Sequence, residues 1–113
     1  MNVKVEWTYR PDALLVTVTG ELDAGTVVDL RDGFAAARAG APEPRPGSVI
    51  LDLTQVGFLD SGGLALLLEV SKDCEAAGQQ LVLVCDHRPV LRPLELTGLA
   101  DVFTITPTVP SAP

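Results

Sequence analysis

The chain has 113 residues, 47% of them hydrophobic, which is apolar material for one compact core and too little length for a second. A net charge of −7 sets an unfavourable field against nucleic-acid phosphates, and no apolar run approaches the roughly 18–20 residues of a membrane-spanning helix. No basic segment followed by an apolar one opens the sequence either, so the expectation is a single cytoplasmic domain that neither binds nucleic acid nor inserts into a membrane.

Met1, Val3, Val5, Trp7 and Tyr9 alternate with Asn2, Lys4, Glu6, Thr8 and Arg10, the period of a half-buried strand. Arg10-Pro11-Asp12-Ala13 offers a turn with Pro in its second place, and Leu14, Val16 and Val18 resume the alternation, predicting an antiparallel hairpin. Beyond Gly20 the spacing becomes helical: Val27, Leu30, Phe34 and Ala37 form a stripe, with Asp23 or Thr26 placed to cap it. Pro and Gly recur from Gly40 to Gly47 and predict a surface loop. Val49, Ile50, Leu51 and Leu53 then read as a central strand covered on both faces.

A second helix is expected from near Ser61, with Leu67, Val70, Cys74 and Ala77 facing the core and Gly78 ending it. Leu81 to Val84 gives a fourth strand, Val90 to Leu96 a third helix closed by Gly98, and Val102 to Ile105 an edge strand. Pro93 inside that helix removes a hydrogen bond at roughly 3 kcal/mol if truly interior, which predicts a late start or a kink. Residues 106–113 are rich in Pro and Thr and read as a flexible tail, leaving one domain over residues 1–105.

The order β-β-α-β-α-β-α-β makes the helix-linked strands parallel with right-handed crossovers, so the fold class is α/β with a mixed sheet. The loops after strands two, three and four then leave at one sheet edge, carrying Asp23, Asp60-Ser61 and Asp86-His87-Arg88.

Phe58-Leu59-Asp60-Ser61-Gly62-Gly63-Leu64 joins a strand exit to a helix start, with a hydroxyl beside two glycines that leave it uncovered. The unpaired N–H groups and dipole of a helix N-terminus suit an anion such as a phosphate on Ser61, although capping alone also explains Asp60 or Ser61. Leu64 and Leu68 fall off the main core stripe, as core after modest rotation or as an apolar contact for a partner.

Other chemistries fit less well. A metal-binding phospho-aspartate receiver could use Asp23, Asp60 and Asp86, but its Lys has no counterpart beyond Val102. A Ser61-His87 hydrolase lacks the first Gly of its nucleophile turn, where Leu59 stands. No GxxxxGK[ST] phosphate loop occurs, and Cys74, Cys85 and His87 are too few for a structural zinc; both cysteines read as buried free thiols. Neither cofactor nor metal is expected.

The run VILDLTQVGFLDSGGLALLLEVSKDCEAAGQQLVLV, with TGELDAGT at Thr19 to Thr26 and LELTGLADVF at Leu94 to Phe103, resembles the STAS domain family up to Ile105, above all its small stand-alone anti-sigma-factor antagonists. The resemblance implies a non-enzymatic protein that, unphosphorylated, binds an anti-sigma factor with serine kinase activity and so frees a sigma factor. It implies phosphorylation at Ser61, reversal by a phosphoserine phosphatase, and a kinase-contacting loop whose acidic residue is matched by Asp23; with the neighbours of the motif, the expected partner surface is Asp23, Asp60, Ser61, Gly62, Leu64 and Leu68. A STAS subunit of a larger signalling assembly or of a lipid-transport ABC system shares the fold. The chain departs from the family in having Gly62 where many relatives have a second Ser, and in lacking a helix after Ile105.

Overall fold

The computed structural model describes residues 3–111, so Met1 and Asn2 of the expected first strand and the last two residues of the tail lie outside it. The elements are β1 (Val3–Tyr9), β2 (Ala13–Leu22), α1 (Val27–Ala39), β3 (Ser48–Leu59), α2 (Ser61–Ala76), β4 (Gln80–Val84), α3 (Arg88–Leu96), a 3-10 turn (Leu99–Asp101) and β5 (Thr104–Thr106). The strands lie side by side in chain order, β1 antiparallel to β2 and the rest parallel. The hairpin and the parallel crossovers therefore form as the residue periods predict.

Alternation divides the sheet into two unequal faces. Leu14, Val16 and Val18 of β2, Val49, Leu51 and Leu53 of β3 and Leu83 of β4 meet Leu30 and Phe34 of α1, Leu67 and Val70 of α2, and Val90 and Leu94 of α3 in the main core. On the other face Ala13, Ile50 and Val84 are buried with help from Leu15, Val82 and Val109. The segment assigned to the tail thus does not leave the domain at once. Thr106 closes β5, Val109 packs on the back of the sheet, and Arg10 Nη1 donates to the Pro110 carbonyl at 2.9 Å.

One burial pattern and three element boundaries differ from the expectation. In β1 only Val3 and Val5 pack against the core, while Trp7 and Tyr9 stay 39% and 38% exposed. β1 is an edge strand covered by α1 alone: a Cβ on Gly33 would lie 2.8 Å from Val5 Cγ1, whereas the Tyr9 hydroxyl reaches out to donate to the Ala37 carbonyl at 2.9 Å. β3 runs on to Leu59, six residues past Leu53, because two register irregularities against β2 break the period that marks a strand.

α3 starts early, at Arg88, with Pro89 in its first turn and Pro93 inside. Only three residues follow Pro93, and its carbonyl accepts from both the Thr97 N–H at 3.2 Å and the Thr97 hydroxyl at 2.7 Å, so the helix closes there. Val102 follows a 3-10 turn instead of opening the last strand, which begins at Thr104 after the buried Phe103.

Cys74 and Cys85 are buried free thiols. Burial and then the Asp86 carboxylate push the Cys85 thiol up to about 11, and burial raises Cys74 despite the opposing Arg38 guanidinium. Two consequences follow from the protonated, enclosed state. An aromatic disulfide reagent at pH 8 is expected to label neither thiol in the native protein and both in guanidinium. An unfolded thiol ionises near 9.0 and native Cys85 only near 11, so the unfolded state loses its proton first; this group's contribution is intact below pH 9 and lost as pH rises from 9 toward 11. Urea midpoints for the native protein and Cys85→Val across that range measure it: the decline should be shallower in the variant.

Candidate functional site

The parallel arrangement of β2, β3 and β4 brings the loops after them to one edge, as the topology requires. Asp60 ends β3 in extended conformation and caps α2: its Oδ1 accepts from the N–H groups of Gly62 at 2.9 Å and Gly63 at 3.1 Å. Its own N–H donates to the Leu22 carbonyl at 3.1 Å, tying the end of β3 to the end of β2. Ser61 is the first residue of α2, exposed, with no hydrogen bond to its hydroxyl among the described residues.

The two glycines do different work. Gly63 is buried, and a Cβ there would lie 2.5 Å from Leu59 Cδ1 and 2.7 Å from the Leu22 carbonyl oxygen. Gly62 faces the loop after β2, where a Cβ would lie 3.2 Å from the Ala24 nitrogen and 3.3 Å from its Cα. The reading that both glycines uncover the hydroxyl is therefore incomplete. They let two backbone segments close on the start of α2, a role that only the folded chain reveals.

Asp23 shapes its own loop. Its Oδ1 accepts from the N–H groups of Gly25 at 2.8 Å and Thr26 at 3.1 Å, while the buried Thr26 hydroxyl donates to the Glu21 carbonyl and accepts from the Asp23 N–H at 3.1 Å. Thr26 stands at the N-cap of α1 without a side-chain capping bond, so the expected choice of Asp23 or Thr26 resolves into a mutual pair bracing the turn. Thr26 is the residue that sequence reasoning undervalued, since a Thr before a helix reads as an ordinary cap.

Two first-turn N–H groups of α2 are already taken by a carboxylate, so a phosphate on Ser61 would sit beside Asp60 and compete with it. The expected local stabilisation gives way to a concentration of negative charge.

His87 is held elsewhere. Its Nε2–H donates to the Val56 carbonyl at 2.6 Å and its Nδ1 lies 3.9 Å from Asp86 Oδ1; neither nitrogen hydrogen-bonds to Ser61. Asp23 and Asp60 each hold their own loop's N–H groups, and no group of three or more His, Cys, Asp or Glu residues suited to a metal occurs among the described residues. The carboxylate cluster of a receiver does not assemble.

Of the two leucines read either as core after modest rotation or as a partner contact, Leu64 is 8% exposed and belongs to the core. Leu68 packs against that core but keeps an accessible edge, beside Gly62, Ala65 and Lys72 in a shallow depression of about 500 Å³ bounded across by Arg31. Arg31 Nη2 and Glu69 Oε2 pair there at 3.0 Å, exposed enough to contribute well under about 1 kcal/mol.

Fold and site together define a small α/β domain whose candidate site is a surface at one sheet edge, formed by three loops and one helix start. The family model described as the STAS domain matches residues 4–112, and the chain belongs to that family. The chain is 30% identical over 107 residues to the anti-sigma-B factor antagonist of Listeria monocytogenes, covering 93% of this chain and 90% of that one. With the anti-sigma F factor antagonist of Paenibacillus polymyxa it shares 31% identity over 108 residues, covering 93% and 87%. An anti-sigma factor antagonist from Mycobacterium paratuberculosis superposes with a TM-score of 0.77 at 28% identity, over 95% of this chain and 87% of that one.

Gly63→Ala tests the close approach. The carbonyl it would strike already accepts from the Asp60 N–H, so relief has to come from the backbone, and the expected loss is about 1–3 kcal/mol in urea unfolding. Asp60→Ala should cost about 0.5–2 kcal/mol through the lost cap, and Asp60→Asn markedly less, because the amide oxygen still accepts from Gly62 and Gly63.

Proposed function

We propose that the protein is an anti-sigma-factor antagonist: unphosphorylated, it binds an anti-sigma factor with serine kinase activity and so releases a sigma factor. It acts in the cytoplasm as the kinase's substrate and has no catalytic role of its own. Phosphorylation of Ser61 switches binding off, and a phosphoserine phosphatase restores it. The observation that carries this reading is Ser61 itself, exposed at the start of α2 between the capping Asp60 and Gly62, in a chain that matches relatives named as anti-sigma factor antagonists over about nine-tenths of its length.

The physical mechanism is electrostatic. A phosphoryl group adds about −1.5 to −2 charge next to the Asp60 carboxylate, with no free pair of first-turn N–H groups to absorb it. A partner surface that fits a neutral hydroxyl then has to desolvate an unpaired dianion, at a cost on the order of 2–5 kcal/mol. The partner-facing set is Asp23, Asp60, Ser61, Gly62 and the open edge of Leu68, with Leu64 acting from beneath as support.

Calorimetric titration against the cognate anti-sigma factor tests the reading. Ser61→Ala should bind as tightly as the unmodified protein and resist phosphorylation; Ser61→Glu and the phosphorylated protein should bind at least about tenfold more weakly. The label should survive hydroxylamine, as a phosphoserine does and an acyl phosphate on Asp60 does not. Equal affinity of modified and unmodified protein would remove Ser61 as the switch.

A further inference from the structure

The second apolar surface at this edge lies on the other side of Asp60, between the far end of β3 and α3. Phe58 and Leu59 form one wall of a groove of about 380 Å³, and Pro89, Pro93 and Leu96 the other. Phe58 is 46% exposed and Leu96 72%, so two large side chains lie in water within one patch while Val90 and Leu94 supply the core face of the same helix.

Arg88 and Arg92 stand on the groove's rim four residues apart on α3, about 5–6 Å between Cβ atoms, and neither forms an ion pair among the described residues. In a chain of net charge −7 these two guanidiniums place two positive charges on the groove's rim, against one carboxylate, Glu95, on the same helix.

We propose that this groove receives a segment of the anti-sigma partner that presents a large apolar side chain flanked by carboxylates, making it a second contact beside the Ser61 switch. The inference rests on the reading given above. Three observations select this occupant. The groove is open and almost without polar lining atoms, so it has little with which to enclose and orient a small molecule. A second copy of the chain brings another net −7 and meets overall repulsion, whereas a basic rim around an apolar floor complements an acidic amphipathic segment. The groove also lies next to the switch along the chain, because its wall residues Phe58 and Leu59 are followed directly by Asp60 and Ser61.

The experiment uses the full chain and the cognate anti-sigma factor without ATP. Arg88→Glu/Arg92→Glu should bind about tenfold or more weakly at low salt, with the deficit shrinking as salt rises; Leu96→Ser should bind several-fold more weakly at any salt. Both sites are exposed, and urea midpoints confirm the fold. Hydrogen exchange on the unaltered protein, which needs no variant, should show the peptide spanning 88–96 protected in the complex together with that spanning 61–68. Protection confined to 61–68, with both groove variants binding normally and Ser61→Glu failing to bind, overturns the groove and leaves the switch standing. No binding by the unaltered protein overturns both, and a Leu96-dependent dimer in sedimentation would assign the groove to a second copy instead.

Discussion

The bond from the Asp60 N–H to the Leu22 carbonyl, with Gly63 pressed against that same carbonyl, is the constraint on which the site depends. It fixes where β3 stops, sets the first turn of α2 against the end of β2, and brings Ala24 within tight contact of Gly62. Each of these segments is short and local. Their mutual placement at one sheet edge turns an exposed serine into a defined feature of a surface.

That placement also explains why the acidic neighbour matters. An uncapped helix start would welcome a phosphate; here Asp60 has already supplied the anion that the helix N-terminus favours. On the proposed function, modification of Ser61 adds charge beside a helix start that the Asp60 carboxylate already occupies, which disfavours docking through charge alone. Such a switch needs no second conformation, only a partner that cannot tolerate the added charge.

Much of the architecture was legible because the residues alternate cleanly. Leu14, Val16 and Val18, the helical stripe through Leu30 and Phe34, and the apolar run from Val49 each point to their elements without ambiguity. Legibility failed where tertiary contacts override the period. β3 continues through Thr54, Gln55 and Gly57 because bulges keep it paired to β2, and Asp52 Oδ1 accepts from the Thr54 N–H and hydroxyl to steady that irregular stretch. The choice left open for Leu64 falls to the core, where it follows the buried Gly63, while Ser61 two residues before Gly63 stays exposed. The motif located Asp60 and Ser61, but the division of labour between Gly62 and Gly63 depends on Leu22 and Ala24, some forty residues earlier in the chain.

On the back of the sheet, the contact from Arg10 to the Pro110 carbonyl joins residues 100 positions apart, and Val109 seals the small cluster between them. Closing so long a loop carries an entropic cost that grows only slowly with length but comes due before the contact gives anything in return. Once made, it links the β1–β2 turn to the chain segment leaving β5, so the two opposite edges of the sheet are no longer mechanically independent: strain applied at one end of the polypeptide is shared with the other across the back of the domain.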